Sequence, residues 1–369
     1  MKILLKLKNF HLLISALVFL ILIPTIFFVF NFANEFEERR EKIGLIILGN
    51  IHIQGWNESQ YKGIKSACED FGLELIVRDN VPENTGQCTA AIKDLAAEDV
   101  GMIFLASYAY SLEVQDLVES YPHISFATNS AEVHAKNMTS YFARMYEARY
   151  LAGALAGMKT KSNVIGYVAA MPNTEVNRGI NAFTLGVRKV NPSAKVVVMW
   201  TGSWQNERVE RLHAQKLIEE AGADVLTYHQ DEEEVGRVAE KYGVDFIAYN
   251  AILSGYSSHY LASIVCHWNL YYFEMIQRYL KGELNSVENY WIGLERNAVT
   301  LANFSAAVNE EMILQLEKMQ QDILNDYLIF SGEIRDNQGN IRCRAGEAIS
   351  DDTLLEDINW LAEGVELLE

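Results

Sequence analysis

Residues 43–64 read IGLIILGNIHIQGWNESQYKGI, and this stretch decides the fold. Ile43 to Leu48 is an apolar run of buried-strand length, too short to span a bilayer. Gly49 and Asn50 break it. Gly55-Trp56-Asn57 then opens a segment with Tyr61, Ile64, Cys68 and Phe71 at helical spacing. Strand, loop and helix, with a large aromatic and an amide at the junction, is the arrangement by which open α/β sheets present their ligand crevice. Trp56 offers a flat apolar face, and Asn57 a donor and an acceptor. Two plainer readings stand beside this one: Trp56 plugs a domain interface, and Asn57 is an ordinary helix N-cap.

Outward from this stretch the same alternation recurs. Strand candidates are Ile43–Leu48, Leu73–Arg78, Met102–Ala106, Ile124–Ala127, Ser140–Phe142, Val164–Ala169, Val196–Trp200, Val225–Tyr228, Phe246–Tyr249 and Ala262–Cys266. Amphipathic segments such as Ser59–Phe71, Cys88–Glu98, Tyr146–Met158, Glu175–Val190 and Asn206–Ala221 lie between them. Repeated βαβ units predict parallel sheets flanked by helices. The number of strands exceeds what one compact sheet carries, so the expected class is α/β with two lobes. The expected boundary lies in the polar segment Met158 to Asn163.

The formal charge of −18 disfavours nucleic acid and anionic lipid headgroups as partners. Cys68, Cys88, Cys266 and Cys343 form no CxxC pattern, and the eight histidines show no HExxH spacing, so neither a metal nor a cofactor is expected. GxGxxG, GxxxxGK[ST] and GxSxG are all absent from the sequence. No catalytic set is recognisable, and the chain reads as a binder rather than an enzyme.

Residues 1–9 carry Lys2, Lys6 and Lys8 and no acid; residues 10–32 are almost wholly apolar; Glu35, Glu37 and Glu38 follow. Residues 10–32 are long enough to cross a bilayer, and the basic flank orients the rest of the chain outward. The reading is an uncleaved membrane anchor followed by a linker over 33–42. The alternative is a cleaved signal with a weak site at Phe32-Ala33, which would leave a secreted protein.

Aromatic residues cluster just after strand candidates: Tyr108 and Tyr110, Trp200 and Trp204, His229, Trp268. In parallel sheets these positions face the crevice. Each alone is commonly core packing; together around one cleft they make a stacking site for a flat heterocycle. Glu147 and Asn250 are candidates for the hydrogen bonds that identify such a ring.

Several stretches carry a resemblance: Gly55-Trp56-Asn57, Asn80-Val81-Pro82-Glu83, YFARMYEARYLAG (141–153), IGYVAAMPNTEVNRGINAFTLGVRKVNP (165–192), VMWTGSW (198–204), VCHW (265–268) and YWIG (290–293). From about Ile43 to its end the chain resembles the basic membrane protein (BMP) family, substrate-binding proteins of ABC importers with the type I periplasmic-binding fold. The resemblance implies a two-lobed binder, tethered outside the cytoplasm, that delivers a purine base or nucleoside to ABC permease subunits. It assigns Trp56 to stacking with Asn57 beside it, and Tyr108 to a second ring face. Glu147, Glu175, His229, Asn250 and Trp268 complete the implied ligand set. This chain departs from common members in having Tyr108 where a phenylalanine is usual and Gln230-Asp231 after His229.

The fold so implied places 43–158 with 260–287 in lobe 1 and 159–259 with 288–330 in lobe 2. The tail 331–369 is expected near the hinge. A ligand-sensing regulatory module of the same fold and a sugar receptor remain as alternatives.

Overall fold

The structure is a computed structural model that describes residues 41–129, 135–250, 259–284 and 289–369. Residues 10–32, read above as an anchor, lie outside them. Among the described residues no helix is long and apolar enough to cross a membrane.

Lys42–Glu369 forms one compact unit built on two sheets. The first has the order β11-β5-β4-β3-β1-β2, with β1 Lys42–Ile46, β2 Glu74–Arg78, β3 Met102–Leu105, β4 Ser125–Thr128, β5 Met138–Ala143 and β11 Asn289–Ile292, all pairs parallel. The second has the order β12-β10-β9-β8-β6-β7-β15, with β6 Val164–Ala169, β7 Lys195–Trp200, β8 Val225–His229, β9 Asp245–Tyr249, β10 Tyr260–Cys266, β12 Val299–Ala302 and β15 Val365–Leu367. Only β12 runs antiparallel to its neighbour there. A short pair, β13 Ile334–Arg335 and β14 Ile341–Cys343, belongs to the tail.

The helices are α1 Trp56–Phe71, α2 Gln87–Ala97, α3 Tyr110–Val118, α4 Met145–Lys159, α5 Thr174–Val190, α6 Glu207–Glu219, α7 Glu234–Tyr242, α8 Trp268–Lys281, α9 Glu310–Leu324 and α10 Asp351–Glu356. Side chains cap several of them: Asn173 accepts from Val176 N at the start of α5, and Asn309 from Met312 N at the start of α9.

The lobe boundaries differ from the expected ranges. Strand β10 lies in the second sheet between β9 and β12, not in lobe 1, and β11 lies in the first sheet beside β5, not in lobe 2. The chain therefore passes between sheets after Ala143, after Cys266 and after Ile292. Helix α4, expected in lobe 1, packs along α5 instead. Small residues make that packing close: a Cβ on Gly153 would meet Phe183 O at 1.9 Å, and one on Gly186 would meet Tyr150 O at 1.9 Å.

The tail lies mainly on the second lobe. It adds β15 to the edge of that sheet and is held by Asn177 and Asn181 of α5, which donate to Ile358 O and Trp360 O. It reaches the hinge where Asp351 pairs with Arg144 between β5 and α4.

Candidate functional site

The carboxyl ends of the two sheets face each other across a narrow cavity lined from both lobes. The first lobe supplies Trp56 at the start of α1, Ser107 and Tyr108 after β3, and Asn129 after β4. From the second come Glu175 in the first turn of α5, Trp204 after β7, His229 and Asp231 at and after the end of β8, and Tyr249 ending β9. That is where doubly wound sheets hold ligands, because the loops leaving parallel strands are free to carry side chains rather than sheet hydrogen bonds.

The aromatic walls form a connected arc. Trp204 meets Tyr108 with ring centroids 6.5 Å apart and His229 at 5.9 Å, and His229 meets Tyr249 at 4.8 Å. Trp56 is fixed edge-on against Trp268 at 5.1 Å, and its indole N–H donates to Ala106 O at 3.3 Å. The Trp56 ring is thus held by the protein itself, which lowers the entropy cost of stacking on it.

The polar floor is unusual. Glu175 Oε1 lies 3.5 Å from His229 Nε2, which is 3.3 Å from the Tyr249 hydroxyl. Burial pushes the Glu175 carboxyl up to about 7, against the pull of the Arg178 and Arg149 guanidiniums. Burial, reinforced by Arg149 and Arg178, holds His229 well below its ordinary range, so the imidazole is neutral. Arg149 is fully buried behind this floor; it stacks on Tyr249 at 4.2 Å and donates to Tyr228 O at 3.3 Å.

Asp231 is also buried. Burial, then the charge of Glu83 and other nearby acids, pushes its carboxyl well above the usual range. Its Oδ2, like His229 Nδ1, has no hydrogen-bond partner among the described residues. A neutral carboxyl offers both a donor and an acceptor to the edge of a heterocycle.

Of the residues singled out from the sequence, Trp56, Tyr108, Glu175 and His229 line the cavity together. Asn57 does not. It sits within α1 rather than capping it, and its Oδ1 accepts from Gly49 N at 3.0 Å, fixing the loop after β1. Asn250 and Trp268 line an adjoining hollow of about 350 Å³ with His267 and Lys62, where neither amide atom of Asn250 has a partner among the described residues.

Glu147 lies elsewhere. Its Oε2 accepts from Leu294 N at 2.7 Å where the chain re-enters the second lobe, in a hollow beneath the tail. Burial pushes it, too, up to about 7.

Ser107, Asn129, Trp204, Asp231 and Tyr249 line the cavity but were absent from the expected ligand set. Trp204 had been noted after its strand; Asp231 follows His229 by two, and Tyr249 precedes Asn250 by one. Among the described residues no grouping of His, Cys, Asp and Glu is placed to hold a metal. All four cysteines are buried and unpaired.

Residues 40–338 match the profile of the Bmp family, described as PnrA-like ABC transporter substrate-binding proteins. The last 31 residues, 339–369, lie beyond that match. A purine-binding protein of Brucella abortus is 29% identical over 332 residues, 89% of this chain and 94% of the relative. TsgA13 of Haloferax volcanii, whose name assigns it to ABC-type glucose binding, is 34% identical over 324 residues, 87% of this chain and 79% of the relative. Among solved structures, a transcriptional activator of the comK gene from Bacillus halodurans superposes with a TM-score of 0.66 at 22% identity, covering 77% of this chain and 97% of the other. A solute-binding protein of an ABC transporter system from Aeropyrum pernix K1 gives 0.67 at 15% identity, covering 85% and 95%. These likenesses show the two-lobed periplasmic-binding-like fold.

Proposed function

The chain belongs to the Bmp family of ABC transporter substrate-binding proteins, and from that premise we propose that its inter-lobe cavity takes a purine base or nucleoside. Members of this family are binders rather than enzymes; they work outside the cytoplasm and present small molecules to permease subunits. The observation that carries the purine reading is the cavity itself: fixed indole and phenol faces surround two buried carboxyls and a neutral imidazole. A flat base with donors and acceptors around its edge satisfies both surfaces. Trp56, Tyr108 and Trp204 are the proposed ring faces; Asp231, Glu175 and His229 are the proposed edge contacts. Asn250 and Trp268, in the adjoining hollow, are proposed to meet the sugar of a nucleoside. The likeness to the purine-binding protein of Brucella abortus supports the same class. Residues 10–32 are proposed to tether the binder to the membrane.

A sugar is the second reading, supported by the name of the Haloferax volcanii relative, since indole faces also stack on pyranose rings. A thermal-shift panel of adenine, adenosine, guanosine, hypoxanthine, riboflavin and simple sugars separates the two. A ligand at a hundred times its Kd stabilises the fold by about 2.7 kcal/mol. Purine stabilisation that vanishes in Trp56→Ala is the expected result. Stabilisation by sugars alone overturns the purine assignment.

A further inference from the structure

Beside the cavity, hydrogen bonds among the described residues join the lobes directly at two points, and each depends on a residue outside the proposed ligand set, Gly55 at one and Glu83 at the other. At the first, Trp56 N in the first lobe donates to Asp231 O in the second at 3.2 Å. Gly55, which precedes it, has φ +135°, and a Cβ there would lie 1.9 Å from Asp231 O. No other residue lets the two backbones approach so closely.

At the second point, Glu83 stands on the loop after β2, which is tied down by Val81 N donating to Ile47 O at 3.1 Å. One carboxylate oxygen of Glu83 accepts from Ser107 Oγ at 2.6 Å and Ala109 N at 2.7 Å, both in the first lobe. Its other oxygen accepts from Trp204 Nε1 of the second lobe at 3.1 Å. The two points are linked, because Trp204 O accepts from Asp231 N at 2.9 Å. Ser107, Trp204, Asp231 and Trp56 all line the cavity.

We infer that Gly55 and Glu83 are positioning residues for lobe closure: Glu83 receives the Trp204 indole when the cleft shuts, and Gly55 makes room for Asp231 O. The inference rests on the cavity being a ligand cleft, and it is independent of which ligand fills it. Rotation about the three inter-lobe crossings separates Trp204 from Glu83 and Asp231 from Trp56. The bonds from Glu83 to Ser107 and Ala109 lie within one lobe and survive that rotation, so the acceptor for the indole is already oriented in the open form. Ala109 N and Trp204 Nε1 are obligate donors to different oxygens of the same carboxylate. A glutamine turns its NH₂ towards one of them whichever way it flips, so Glu83→Gln breaks this arrangement at constant size.

The test uses the full-length chain as wild type, E83Q, W204F and the double variant, with G55A as an independent probe. Thermal unfolding and small-angle scattering are recorded alone, with adenosine and with glucose; release of either ligand is followed by stopped-flow fluorescence. A hydrogen bond to a charged group is worth about tenfold in an equilibrium, so E83Q should release a bound ligand about tenfold faster. E83Q should also scatter as a more open particle, and the Tm loss of the double variant should fall short of the sum of the E83Q and W204F losses. G55A should resemble E83Q in scattering; should G55A not fold, the E83Q and W204F cycle decides. Additive Tm losses with unchanged scattering overturn the inference. Coupling between E83Q and W204F with neither adenosine nor glucose bound upholds closure by Glu83 and counts against the purine reading alone.

Discussion

Replacing Glu175 by glutamine should flatten the dependence of stability on pH between about 4.5 and 7. In the fold, burial pushes this carboxyl up to about 7 from an ordinary value of 4.5, with Arg178 and Arg149 opposing it in part. Below pH 4.5 the folded and unfolded chains both hold the proton, and the group costs nothing. Between 4.5 and 7 the unfolded chain has released it while the folded chain retains it, so stability falls as pH rises. Above 7 the loss is complete, and for one such carboxyl it amounts to about 3 kcal/mol. Glutamine keeps a hydrogen-bonding group beside His229 but cannot ionise. Glu147 and Glu210, also pushed up to about 7 by burial, titrate in both proteins and cancel in the comparison. The assay is urea unfolding of wild type and E175Q at a series of pH values. The difference in stability should grow in favour of E175Q as pH rises and level off near neutrality. Parallel profiles across the range would refute the buried-carboxyl account of the cavity floor.

Asn181→Ala should destabilise the chain by about 3 kcal/mol in denaturant unfolding, because it leaves Trp360 O and Ala362 N unpaired beneath the tail; a loss too small to measure would mean that the tail is not anchored there. Glu147→Gln should leave the affinity for whichever ligand binds within about twofold while changing stability, since Glu147 meets Leu294 N and not the cavity. A large loss of affinity in E147Q, read by calorimetric titration, would return Glu147 to the ligand. Trp56→Ala should cost about 3–5 kcal/mol in unfolding as the packing against Trp268 is lost.

The β1–loop–α1 unit was legible because its signals are local: an apolar run, a glycine break and a helical period. The sheet to which a strand belongs is not a local property. Ala262–Cys266 reads as a buried strand wherever it lies, and only the pairing of β10 with β9 and β12 settles its lobe. The place of α4 is written less plainly, in YLAGALAG, whose glycines fit against Phe183 and Val187 of α5; an apolar helix beside a polar boundary suggested lobe 1 instead. Trp56, Tyr108, Glu175 and His229, picked out by strand-end position and motif, line one cavity. Glu147 lies apart from that cavity: resemblance carries a residue type forward without its neighbours, and here the neighbour is a backbone amide at the hinge. Tyr249 was passed over for Asn250, although consecutive residues at a strand end turn to different sides, and here they line different hollows. Asp231 was passed over because an acid in so acidic a chain reads as surface until its burial is seen.

The central claim is that the cavity recognises a purine ring. The most direct measurement is calorimetric titration of the full-length chain with adenosine and, in parallel, with glucose. The account predicts saturable heat with adenosine, loss of that heat in Trp56→Ala, and none with glucose. Saturable binding of glucose with no response to adenosine would contradict it.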